Sequence, residues 1–189
     1  MKHIGVVVFP GFQILDMVAV AIFELANLEA GQPEYEVETV SEHGGMVRSS
    51  SGVEVATRAF GDPAYDTVIV TGAMQIAPSS PGMLAFLNRA LVASRRTASI
   101  CTGAFALAEA GILDGRHATT HWVHARTLQE RFPATRVDDD RIFIVDGSVW
   151  TSAGMTACID LCLALVENDL GVDVSRAIAK KLVVYHRRT

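Results

Sequence analysis

Apolar residues fall along this chain in two alternating rhythms, short unbroken runs and longer stretches at helical spacing, which predicts a sheet sandwiched between helices. Residues 3–9 form a continuous valine-rich run, the pattern of a central parallel strand covered on both faces, and Pro10 and Gly11 break it. From 16 to 29 the apolar positions recur at helical intervals, with Asp16 placed to cap the first turn and Gly31, Gln32 and Pro33 ending the helix. Residues 34–41 alternate as a strand. Two short runs, 46–48 and 53–57, are punctuated by glycines and serines and read as a small hairpin at a sheet edge. The second core strand, 67–71, closes on Gly72 and Ala73.

Pro81 opens a helix through about 94, and the run 97–100 is a third core strand that ends on Cys101, Thr102 and Gly103 before a helical stretch, 104–110, stopped by Gly111. Asp114 and Gly115 turn the chain towards 119–122 and a helix to 131, ended by Pro133. Asp146-Gly147 between 141–145 and 148–151 is a strong hairpin signal, and two helices follow, 155–169 and 172–185, separated by Gly171. The pattern predicts an α/β fold with a mostly parallel central sheet and a small β-hairpin, as one domain over residues 1–189 without repeats or a linker.

Composition narrows the setting. At 189 residues, 50% hydrophobic and 20% charged, the chain is long enough for a substantial core. A net charge of −5 argues against a general nucleic-acid surface. Three cysteines, with no secretory leader and no run long enough to cross a bilayer, point to a reducing cytoplasm rather than a disulfide framework. Nothing has zinc-ligand spacing: Cys158 and Cys162 stand four apart on an apolar helix and read as packing, and Asp138, Asp139 and Asp140 read as a solvated turn. No metal and no cofactor is expected.

The candidate chemistry gathers at one sheet edge. Cys101 lies at a strand-to-helix corner, where the positive end of a helix favours a thiolate and a lowered thiol pKa, with Asp16 opposing if ionised. Asp16 follows the first strand, Gly72 and Ala73 the second core strand, and Thr102 the third, while Ser152, Ala153 and Gly154 follow the last hairpin. Ligands of open α/β sheets bind outside such strand ends. A thiolate attacking an electrophilic carbon, Asp16 shuttling a proton, Thr102 orienting either, and the N–H groups of Gly72, Ala73 and Thr102 holding developing negative charge make a coherent hydration chemistry. Plainer readings stand beside it: Cys101 as apolar filler, Asp16 as a helix cap, Thr102 as a helix start, His121 as a structural or pocket-wall residue outside the catalytic set.

Phe9-Pro10-Gly11-Phe12, Leu15-Asp16, Val70-Thr71-Gly72-Ala73, Ile100-Cys101-Thr102-Gly103-Ala104-Phe105, Ala118-Thr119-Thr120-His121-Trp122 and Thr151-Ser152-Ala153-Gly154 together resemble the ThiJ/PfpI superfamily, across nearly the whole chain. That resemblance implies the class I glutamine-amidotransferase-like fold, a flavodoxin-like three-layer sandwich. Within it, residues 111–116, 47–52 and 181–188 most resemble the amino-terminal sensor domain of AraC-type transcriptional regulators. The implied function is recognition of a small-molecule ligand at the Cys101 crevice by a homodimer, with DNA reached only through a helix-turn-helix region absent from this chain, and with sulfinic oxidation of Cys101 as a redox-sensing variant.

The departures are specific. Thr102 stands where PfpI-type peptidases carry a histidine, and Ala21 falls at or next to the glutamate that many members place in the first helix, so peptidase or amidotransferase activity is not implied. Asp16, Cys101 and Thr102 instead resemble the isocyanide hydratases, which implies the alternative of a stand-alone, cofactor-independent cysteine hydratase converting an isocyanide to an N-formamide.

Overall fold

The valine run near the amino terminus forms β1 (Lys2–Val7), and its side chains divide by parity between two cores. Ile4, Val6 and, just past the strand, Val8 join one core, while Val7 joins the other. The protein is described by a computed structural model over residues 1–62 and 65–184. β2 (Tyr35–Ser41), the hairpin β3 (Gly45–Arg48) and β4 (Glu54–Ala59), β5 (Thr67–Val70), β6 (Arg96–Ile100), β9 (Phe143–Asp146) and β10 (Val149–Ser152) complete an eight-stranded sheet in the order β3-β4-β2-β1-β5-β6-β10-β9. From β4 to β10 neighbouring strands run parallel, and β3 and β9 lie antiparallel at the two edges. A separate pair, β7 (His117–Ala118) with β8 (Arg136–Val137), has no counterpart in the sequence reading, because two-residue strands leave no periodic signal.

One face of the sheet carries α1 (Val18–Ala30), α5 (Ala157–Leu170) and α6 (Val172–Lys181). In α1 the buried residues Ala19, Ile22, Phe23 and Ala26 follow the helical stripe, and Gly31 ends the helix in the left-handed region at φ +68°. α5 is apolar on nearly every side, since α1 and α6 pack against it as well as the sheet. The other face carries α2 (Pro81–Ala93), α3 (Gly103–Glu109) and α4 (Trp122–Arg131). The expected three-layer sandwich is the observed one. No helix among the described residues is long and apolar enough to cross a membrane.

Two local expectations are corrected. Asp16 does not cap the first helix: it sits inside a single 3-10 turn, Ile14–Met17, whose cap is Gln13, with the Gln13 side chain accepting from the Leu15 N–H. The last helix ends at Lys181 rather than running on, and Tyr185, Arg187 and Arg188 lie outside the described residues.

Candidate functional site

In the sheet order the chain leaves β1 for β2 on one side and returns to β5 on the other, so the switch point lies at the carboxyl ends of β1, β5 and β6. Three loops meet there. Gln13 N–H donates to Gly72 O at 2.8 Å, and Phe12 forms a bridge with Ala73, which joins the β1 loop to the β5 loop. The β6 corner is fixed from two more directions: Cys101 N–H donates to Ser152 O at 3.1 Å, and Thr120 Oγ1 donates to Cys101 O at 2.8 Å.

Cys101 adopts φ +54°, a left-handed backbone uncommon for any residue but glycine, and it turns the chain sharply from β6 into α3. The corner closes because glycines surround it. A Cβ on Gly72 would lie 2.8 Å from Cys101 Cβ, one on Gly154 2.4 Å from the same atom, and one on Gly103 2.5 Å from Val70 O. Thr102 locks the corner to the β5 loop, its Oγ1 donating to Ala73 O at 2.8 Å and accepting from Ala73 N–H at 2.7 Å. Asp16 is fully buried; its Oδ2 accepts from Gly72 N–H at 2.7 Å, and its Oδ1 meets no hydrogen-bond partner among the described residues.

These contacts revise the expected chemistry. Gly72 N–H is bound to Asp16 and Ala73 N–H to Thr102, so neither points free as a donor to an incoming anion. Burial lifts the Asp16 carboxyl to about 6 against the opposing pull of the Gly72 N–H. The Cys101 thiol, expected to be lowered, is instead pushed up to about 11 by burial first and by Asp16 second, with hydrogen bonding from Thr102 working the other way. The helix behind it, α3, has seven residues, a short dipole to set against that desolvation. Burial at this corner thus favours the thiol over the thiolate.

Residues 2–168 match the family model described as the DJ-1/PfpI family. The chain belongs to the DJ-1/PfpI family. Among curated relatives of this DJ-1/PfpI domain, the HTH-type transcriptional regulator GbdR of Pseudomonas aeruginosa is 34% identical over 190 residues, covering 98% of this chain and 51% of GbdR. The isonitrile hydratase of Pseudomonas putida is 32% identical over 184 residues, covering 95% of this chain and 77% of the hydratase. The domain thus spans about half the length of GbdR and, at 56%, of the regulator GlxA of Rhizobium meliloti. An AraC family transcriptional regulator from Pseudomonas putida shares the fold at TM-score 0.87 with 22% identity, covering 96% of this chain and 100% of the other.

Two cavities open on the elbow of this DJ-1/PfpI domain. The smaller, about 90 Å³, holds Cys101 itself together with Thr102, Met74, Met155, His121 and His124. The larger, about 1300 Å³, is an open cleft between the β3–β4 hairpin and the segment 74–80, with Phe9, Met46, Arg48, Phe60 and Ile76 on its walls. His121 caps α4, its Nδ1 accepting from Val123 N–H at 3.4 Å, and so is both structural and pocket wall. Burial and the neighbouring His121 hold His124 below the usual histidine range. Sequence reasoning missed Gln13, His124 and Met155; the spacing of His121 and His124, three apart at the start of a helix, is the signal that places both on one face. Cys158 and Cys162 are fully buried with sulfurs 3.9 Å apart inside the core. No group of three His, Cys, Asp or Glu residues among those described is arranged to hold a metal ion.

Proposed function

We propose that this chain is the small-molecule-sensing domain of an AraC-type transcriptional regulator, a cytoplasmic homodimer that binds its ligand at the Cys101 elbow and reaches DNA only through a further region. The observation that carries this reading is the extent of the likeness to GbdR, 98% of this chain but only 51% of that regulator. The site supports it in physical terms. A thiol whose pKa burial raises, beside the Gly72 and Ala73 N–H groups already engaged inside the protein, suits recognition better than turnover. The cleft beside it, about 1300 Å³, is large enough for a small molecule and mixes apolar walls such as Phe9, Phe60 and Ile76 with polar groups such as Glu42, His43 and Arg48.

A second reading rests on the isonitrile hydratase likeness and on Asp16, Cys101 and Thr102 meeting at one corner. In that chemistry the sulfur adds to the isocyanide carbon, a proton reaches that carbon, and water displaces the sulfur to release the N-formamide, one water being consumed overall. In this reading Asp16, whose carboxyl burial lifts to about 6, accepts and returns the proton.

One pair of assays separates the two. The protein is screened for thermal stabilisation by small metabolites, and a ligand at one hundred times its Kd contributes about 2.7 kcal/mol, a rise of roughly 5–10 °C in Tm for a chain of this size. In parallel it is incubated with an aryl isocyanide. Stabilisation without N-formamide supports the sensor; N-formamide formed by wild type and not by Cys101→Ala overturns it in favour of the hydratase.

A further inference from the structure

We propose that the side chains of Gln13 and Met74 form a gate between the outer cleft and the Cys101 pocket, and that this gate sets the size of the group that reaches the sulfur. The proposal rests on the elbow being a ligand site. Four residues, Gln13, Ala73, Met74 and Thr102, line both cavities and so stand where the two spaces meet. Two of the four, Ala73 and Thr102, are tied to each other by hydrogen bonds. Both polar groups of the Ala73 backbone are bonded to Thr102 Oγ1, and Ala73 is also bridged to Phe12. Gln13 is anchored through its backbone to Gly72 O and through its amide oxygen to Leu15 N–H.

What remains to close the partition is one contact, the Gln13 Nε2 amide donating to Met74 Sδ at 3.0 Å. A thioether is a weak acceptor, and an unbranched methionine has the rotamers to swing away. Met74 is 62% exposed, so nothing packs over its outer side to hold it in place. With the gate closed, the 90 Å³ pocket has room for a group of a few heavy atoms, while the 1300 Å³ cleft accommodates the body of a much larger molecule. The geometry fits a ligand that lies in the cleft and presents a slender terminal group past Met74. Turning Met74 outward merges the two spaces and admits broader groups.

The test is the alkylation rate of Cys101 in the whole chain, read on its own peptide by mass spectrometry at one mildly alkaline pH. The probes are iodoacetamide, which is slender, and N-benzylmaleimide, which is broad, each normalised to its rate with a free cysteine peptide. A change in thiol pKa moves both rates together, so their ratio isolates access. For Met74→Ala the maleimide rate is expected to rise about tenfold or more and the iodoacetamide rate by less than about threefold. Gln13→Ala, which removes the tether and leaves the thioether, should raise the maleimide rate by a smaller factor in the same direction. Equal factors for the two reagents in Met74→Ala overturn the gate and leave the ligand-site reading intact. Absence of labelling by either reagent in Met74→Ala overturns both, because the sulfur is then closed off from the cleft by something other than this pair.

Discussion

Gly154→Ala puts the crowded elbow to a quantitative test. The added Cβ would lie 2.4 Å from Cys101 Cβ, 2.7 Å from its Sγ and 2.8 Å from its Cα. The sulfur can rotate away, but Cα moves only with the corner between β6 and α3. Gly154 also sits at φ +102°, a backbone position that L side chains rarely adopt. The backbone term is roughly 1–3 kcal/mol, and forcing a methyl into a filled space adds roughly 1–3 kcal/mol. Gly31→Ala is the uncrowded reference for a positive-φ glycine, because Gly31 at φ +68° has nothing within 4 Å of its Cβ position and should lose about 1–2 kcal/mol. Urea unfolding of the two variants at equal m-values reads the difference. Gly154→Ala should fall below Gly31→Ala by about 1–3 kcal/mol, roughly 1 M in midpoint for an m-value near 2 kcal/mol/M. Adding Cys101→Gly to Gly154→Ala removes two of the three close contacts and should recover part of the loss. Equal losses in the two single variants would show that the methyl finds room beside Cys101, and the packing of the corner described above would be wrong.

Other substitutions probe the polar contacts. Thr102→Val strands both Ala73 backbone groups and should lose about 1–3 kcal/mol in urea unfolding, whereas Thr102→Ser keeps the hydroxyl and should stay within about 1 kcal/mol of wild type; similar losses in the two would place the effect in packing. Asp16 has its folded pKa raised from 3.8 to about 6, so its favourable contribution is complete below the unfolded value and is lost as pH rises through about 6. Asp16→Asn carries no such dependence, and its stability relative to wild type should therefore increase by up to about 3 kcal/mol between roughly pH 4 and pH 8, while parallel profiles would refute the assignment. The same variant removes a charge that raises the Cys101 thiol, so alkylation of Cys101 should quicken at neutral pH.

The layering of the fold was legible because it depends on local periodicity. The run 3–9 announces a strand buried on both faces, and Ala19, Ile22, Phe23 and Ala26 announce which side of α1 faces inward. The elbow was legible too, since a cysteine between an apolar run and Thr102-Gly103 marks a strand-to-helix corner. What escaped is what depends on distant partners. Asp16 looks like a cap when judged against its chain neighbours, but the N–H it binds belongs to Gly72, 56 residues away. The donors of Gly72 and Ala73 look free until Asp16 and Thr102 are folded against them. The direction of the thiol pKa escapes for the same reason: a helix start is visible in sequence, whereas the burial that opposes it is set by β10, Gly154 and the β5 loop arriving together.

The left-handed turn at residue 101 has a consequence for any effort to toughen this domain. Backbone energy alone favours glycine over cysteine there by roughly 1–2 kcal/mol, so the chain carries its thiol against the conformational preference of the peptide unit that bears it. Keeping the sulfur and gaining resilience are thus opposed at a single position, and a heat-hardened version must draw its gains from elsewhere in the sandwich or surrender the sulfur.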